Sequence, residues 1–182
     1  MVKSKMEWID KKILEKIVKD AQLEQDDCVL EIGPGAGTLT RLMSARCANV
    51  TAIEIDRALK PVLETTLSGC RNVSVIYGDF LKLDIDALYK ENLCPGFKVV
   101  ANIPYYITTP IIMRLLESGL PYKSITVLVQ REVAKKLKMH EYRTKLYAAA
   151  AKKTTSARLG VVLSLCREAD LAIKSESSDY RR

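Results

Sequence analysis

Two stretches carry residue types at spacings that could do chemistry: the glycine turn Glu31-Ile32-Gly33-Pro34-Gly35-Ala36-Gly37, and Asn102-Ile103-Pro104-Tyr105-Tyr106. Glycines at 33, 35 and 37 let the chain turn tightly and bring backbone N–H groups close to a ligand. Such a turn alone is a weak signal, shared by many nucleotide-binding folds. Its neighbours sharpen it. Glu31 stands just before the turn, and Glu54 follows Gly33 by 21 residues at the end of the next apolar run. There it is placed to accept hydrogen bonds from both hydroxyls of a ribose, the alternative being a solvated strand end. Pro34 sits inside the turn and the last glycine of a dinucleotide fingerprint is missing, so the expected ligand is one nucleoside with a short extension. Gly78-Asp79-Phe80 ends a third apolar run. Asp79 could accept from an adenine amine and Phe80 could supply an apolar edge, although an isolated acid there is more often a turn or cap residue.

The Asn-Ile-Pro-Tyr stretch suggests what is done beside that nucleoside. The exocyclic amine of adenine is a poor nucleophile, because its lone pair is delocalised into the ring. Two acceptors that hold it in line with an electrophile help more than a general base. The Asn102 side-chain oxygen and the Pro104 carbonyl fit that task. Pro104 stiffens the loop, and stacking on Tyr105 would fix the base plane and offset part of the cost of extruding it. Tyr106 reads better as core. The alternative is a Pro-Tyr turn capped by Asn, which leaves the match in position with the glycine turn unexplained. Together the two stretches point to methyl transfer from S-adenosylmethionine onto the amino group of a nucleic-acid base.

The elements needed to position these residues are a parallel sheet and its crossover helices. Short apolar runs at 28–32, 50–55, 73–77, 97–101 and 125–129 read as strands. Helical patterns fill the intervals: 10–22 behind an Asp10 cap, one starting in the glycine turn, 59–67 with Pro61 in its first turn, a turn at 84–89, 109–116 opened by Thr109-Pro110, and 131–138. This alternation predicts an α/β, Rossmann-like methyltransferase fold, a mostly parallel sheet covered on both faces. The segment 159–166 fits helix or strand. There is no internal repeat. The expected division is a cofactor-binding domain over 1–155 and a basic remnant or tail over 156–182, with the sheet incomplete at its C-terminal edge.

Composition narrows the partners. The 182 residues are 48% hydrophobic and 28% charged, as in an ordinary globular domain. No apolar run is long enough to span a membrane, and the N-terminus leads into charged sequence, so a cytoplasmic protein is expected. Cysteines at 28, 47, 70, 94 and 166 have no metal-like spacing with the lone His140, which predicts reduced thiols and no metal. Residues 1–130 carry 16 Lys/Arg against 16 Asp/Glu, and 131–182 carry 13 against 6, so the net charge of +7 lies in the last third. Such a segment suits a phosphate backbone or is a solvated tail.

The motifs Glu31 to Thr40, Glu54-Ile55-Asp56, Gly78-Asp79-Phe80, Asn102 to Ile107 and Val129 to Ala134 resemble those of the small-subunit ribosomal RNA adenine N6-dimethyltransferases. The resemblance runs from about Asp10 to Lys138. It implies S-adenosylmethionine as cofactor and transfer of methyl groups to adenine N6. It also implies ribosomal RNA or an assembling small subunit as partner; the chain is expected to act as a monomer. It puts catalysis on Asn102, Pro104 and Tyr105, and cofactor contacts on Glu31, Gly33, Gly35, Gly37, Glu54, Ile55, Asp79, Phe80 and Asn102. Where the family reads Gln-Asn-Phe-Leu before its first helix, this chain reads Lys5-Met6-Glu7-Trp8, and the expectation is a chain without the family's C-terminal helical domain. Other readings are a non-catalytic RNA-binding or ribosome-assembly factor, or a methyltransferase for another planar amine such as DNA adenine or glutamine.

Overall fold

A computed structural model describes residues 11–103, 105–128 and 160–164. Six strands are described: β1 (Cys28–Ile32), β2 (Asn49–Glu54), β3 (Val73–Tyr77), β4 (Lys98–Asn102), β5 (Ser124–Leu128) and β6 (Gly160–Ser164). They form one sheet in the order β3-β2-β1-β4-β5-β6, every neighbouring pair parallel. The helices are α1 (Lys11–Asp20), α2 (Thr38–Ser44), α3 (Lys60–Thr66), α4 (Ile85–Asn92) and α5 (Tyr105–Ser118), with a 3₁₀ turn at Arg57–Leu59. The Rossmann-like fold expected from the alternation is the one observed.

Side chains of successive strand residues point to opposite faces, and both faces are buried. On one face Val29, Val50 and Val100 pack with Leu14, Ile17 and Val18 of α1 and Leu39 and Met43 of α2. On the other, Leu30, Ile53, Val99 and Ile125 pack with Leu88 of α4, with Ile111, Ile112 and Leu115 of α5, and with Phe97. Because the central strands are sandwiched, their sequences are mostly apolar, with Glu31 in β1 and Thr51 in β2 as buried polar exceptions within them.

The amino-terminal ends of the strands are tied twice. Lys98 and Asp27, almost wholly buried, form an ion pair at 2.7 Å. Lys98 Nζ also donates to the Gln22 carbonyl, and the same Asp27 oxygen accepts the Glu24 N–H at 2.6 Å. Nearby, Cys28 and Cys94 are joined in a disulfide across 66 residues of sequence. This corrects the expectation that all five cysteines are reduced thiols. The turn entering β4 brings Cys94 to the start of β1, with the Cα atoms 6.2 Å apart, within disulfide range. Cys47 and Cys70 are free thiols.

Three boundaries differ from the sequence reading. The turn at 84–89 is a full helix to Asn92, because the Asp84 carboxylate accepts the N–H groups of Asp86 and Ala87 and caps it. Helix α5 starts at Tyr105, not Thr109, with Pro110 inside it. The ambiguous 159–166 segment contributes β6, paired in parallel with β5. The Asp10 cap and the 131–138 helix lie outside the described residues.

Candidate active site

The strand order reverses between β1 and β4. Ligands in such sheets sit in the crevice outside the carboxyl ends at that switch point. Ile32 pairs with Ala101, so the glycine turn leaving β1 and Asn102 ending β4 stand side by side. Glu54 ends β2 and pairs with Tyr77, two residues before Asp79. Four adjacent strand ends thus bring Asp79, Glu54, the glycine turn and Asn102 to one rim. Sharing a face with Val29, Val50 and Val100, the positions of Glu31, Glu54 and Asn102 lie on the α2 side of the sheet.

The glycine turn is held from within the protein. Gly33, Gly35 and Gly37 have φ of 74°, 58° and 81°, in the left-handed region that side chains rarely adopt. At Gly33 there is also a packing reason. A Cβ there would lie 3.2 Å from Cγ2 of Ile103, so the turn after β1 and the Asn-Ile-Pro-Tyr stretch are packed against each other. At Gly35 a Cβ would meet nothing within 4 Å, so this backbone borders open space where a ligand can approach. The Gly33 N–H donates to the Ile53 carbonyl at 2.9 Å, and the Gly35 N–H donates to Oε2 of Glu54 at 3.0 Å.

Glu54 is 4% exposed, and its Oε1 accepts the Asp56 N–H at 2.8 Å. It therefore braces the turn. A carboxylate has about four lone-pair directions, so two remain for hydroxyl donors. Beside it Ile55 is 63% exposed, an apolar surface at the rim. Asp79 works as a turn residue, its Oδ1 accepting the Leu81 N–H at 3.0 Å. Its Oδ2 lies 3.6 Å from Lys82 Nζ. Phe80 is buried in the core cluster that includes Ile32, Ile53 and Ile103. Asn102 is half-buried, and Tyr105 opens α5. Pro104 lies outside the described residues.

Glu31 is 1% exposed. Burial, reinforced by the Glu54 carboxylate and opposed by the Thr40 hydroxyl, pushes its carboxyl from about 4.5 up to about 8. Oε2 of Glu31 and Oγ1 of Thr40 are buried without a hydrogen-bond partner among the described residues. Both Thr40 and Ile103 were missed as site residues. Their signal was position alone: the third residue of α2, and the residue between Asn102 and Pro104.

Two further features are not built from the rim's own residues. A cleft of about 430 Å³ runs along edge strand β3, between it and α3. Carboxylates of Glu24, Asp26 and Asp27 cluster within 4.8 Å. They sit at the amino-terminal end of β1, opposite the rim, and Asp27 is already paired with Lys98. No helix among the described residues is long and apolar enough to cross a membrane.

Solved methyltransferases share this architecture. A 23S ribosomal RNA methyltransferase, ErmE, superposes with a TM-score of 0.62 at 37% identity, over 73% of this chain and 51% of that one. A dimethyladenosine transferase from Plasmodium falciparum does so with 0.59 at 30% identity, over 70% and 44%. The fold is thus that of a Rossmann-like methyltransferase domain. The family model described as ribosomal RNA adenine dimethylase matches residues 6–178, and the chain belongs to that family. A ribosomal RNA small subunit methyltransferase A from Lachnoclostridium phytofermentans is 52% identical over 131 residues, 71% of this chain and 45% of the relative. The chain thus spans less than half the length of that relative.

Proposed function

We propose that this chain transfers methyl groups from S-adenosylmethionine to the N6 amine of adenine in small-subunit ribosomal RNA, as a monomer acting in the cytoplasm on RNA or on an assembling subunit. The observation that carries the reading is the contact of Gly33 with Ile103, which packs the cofactor-type turn against the amine-type turn at the switch point.

The site fits the cofactor. The open approach over Gly35, two unused lone-pair directions on Glu54 and the unpartnered buried oxygens of Glu31 and Thr40 supply a backbone cradle, a ribose acceptor and a polar end. The turn Gly33-Gly35-Gly37 and Glu31 would hold the amino-acid part, Glu54 the ribose, and Ile55, Asp79 and Phe80 the adenine, with Asn102 at the edge shared with the substrate. When bound, the cofactor supplies an electrophilic methyl on a sulfonium. The protein's share is alignment: the Asn102 carbonyl and the Pro104 carbonyl accept the two N6 hydrogens, and the Tyr105 ring stacks on the base and keeps water from its face. No metal is needed for this chemistry.

Calorimetric titration with S-adenosylmethionine tests the cofactor half. Micromolar binding lost in Glu54→Ala is expected, and an unchanged affinity in that variant would refute the assignment. A second reading, an RNA-binding factor that keeps the fold without transfer, is favoured by Lys5-Met6-Glu7-Trp8, which replaces the family's cofactor-contacting segment. It predicts RNA binding with no cofactor binding.

A further inference from the structure

Beneath the glycine turn lies a buried polar cluster that amine alignment does not use. It comprises the Glu31 carboxyl, the Thr40 hydroxyl and the Glu54 carboxylate, all nine-tenths buried or more. Glu54 accepts one N–H from the turn, that of Gly35, and one from Asp56 just beyond β2. Glu31 Oε2 and Thr40 Oγ1 have no partner among the described residues. A buried ionised carboxylate without donors is costly, and a second carboxylate nearby raises that cost. Among the described residues, the side chains acting on Glu31 are the Thr40 hydroxyl and the Glu54 carboxylate, and no cation. From α2 comes Thr40, the neighbouring Arg41 being exposed. From β2 comes Glu54. From β4 the paired residue is Val100, with Lys98 committed to Asp27 at the far end of the strand.

We propose that Glu31 is a neutral acid in the ligand-free protein and that binding of the cofactor's ammonium end is coupled to release of its proton, with Thr40 as the positioning residue whose unpartnered hydroxyl turns to the carboxylate once it is charged; this rests on the cofactor-site reading above. The step balances without a further reagent. The carboxyl O–H bond breaks, the proton passes to the buffer, and the carboxylate left behind pairs with the ammonium. The elevated carboxyl of Glu31 agrees with this geometry. Cofactor affinity therefore becomes pH-dependent through a group belonging to the protein.

S-adenosylhomocysteine, whose only cation is the ammonium, is the probe. Titrated calorimetrically into the full chain at neutral pH, in buffers of different ionisation heat, it should release close to one proton per ligand bound. Glu31→Gln should release none. Affinity should rise on the order of tenfold per pH unit while Glu31 is protonated, and level off above its titration. Thr40→Val should move that midpoint upward and Thr40→Ser should restore it, which a merely structural threonine would not do. In the ligand-free chain the ¹³C carboxyl resonance of Glu31, assigned with the glutamine variant, should titrate near neutrality or above it. Binding without proton release, or a Glu31 resonance that titrates in the ordinary carboxylate range, overturns the proposal. Absence of any binding would overturn the cofactor-site reading and the linkage with it, an outcome distinct from binding that is pH-flat.

Discussion

Replacing Lys98 with methionine probes the knot that aligns β1 with β4 at the ends opposite the glycine turn and Asn102. Lys98 opens β4, Asp27 immediately precedes β1, and their side chains are 5% and 6% exposed at 2.7 Å. The knot extends further. Lys98 donates to the Gln22 carbonyl, Asp27 accepts the Glu24 N–H, and the Asp27 carbonyl accepts the N–H groups of Ala48 and Asn49 leading into β2. Methionine keeps most of the stem volume but removes the cation. Asp27 then remains buried with a single N–H donor to its carboxylate, and breaking a buried pair from one side costs about 3–5 kcal/mol. With a urea dependence of about 2 kcal/mol per M, the unfolding midpoint should drop by about 2 M. Asp27→Asn in the same chain removes the stranded charge while keeping an acceptor for Glu24, so the double variant should recover more than half of the loss. Urea unfolding followed by circular dichroism measures both. A Lys98→Met shift of under about 0.5 M, or a double variant no more stable than the single one, would show that the pair is solvated and that the knot is not what aligns β1 with β4.

Other expectations follow from the same structure. Glu31 is raised from about 4.5 to about 8; its contribution to stability is fully present below the lower value and lost as pH rises through the upper one. At about 1.4 kcal/mol per unit this is on the order of 5 kcal/mol, and Glu31→Gln should flatten the slope in pH-dependent unfolding. Asn102→Ala should abolish methyl transfer while leaving cofactor affinity nearly unchanged by calorimetry; equal loss of both would refute its role in aligning the amine. Tyr105→Ala should reduce turnover more than Tyr105→Phe, because stacking needs the ring and not the hydroxyl. Cys28→Ser should lower stability by about 4 kcal/mol under oxidising conditions, the chain-entropy cost of opening a 66-residue loop. It should make little difference under reducing conditions, and an equal effect in both would assign the loss to packing.

Strands were legible because a parallel sheet buried on both faces writes short apolar runs with little ambiguity, and β1 and β3 have the boundaries read from sequence. The glycine turn and Asn102 were legible because left-handed backbone and carboxyl-end placement demand particular residues at particular offsets. Helix α5 was started too late. Thr109-Pro110 looks like a first turn, yet the helix starts four residues earlier at Tyr105 and tolerates the missing N–H of Pro110. What sequence could not show is contact between distant residues. Cys28 with Cys94, Asp27 with Lys98, and Gly33 with Ile103 become neighbours only once β4 is laid beside β1. Thr40 is similar: as a residue type it is ordinary, and its importance comes from lying buried beside Glu31.

The most direct test of the account is transfer of labelled methyl groups from S-adenosylmethionine to small-subunit ribosomal RNA, followed by digestion and identification of the modified nucleoside. Label on the N6 of adenine, lost in Asn102→Ala and in Glu54→Ala, is the predicted result. RNA that binds the chain yet gains no methyl group, or a label found on another atom, would contradict it.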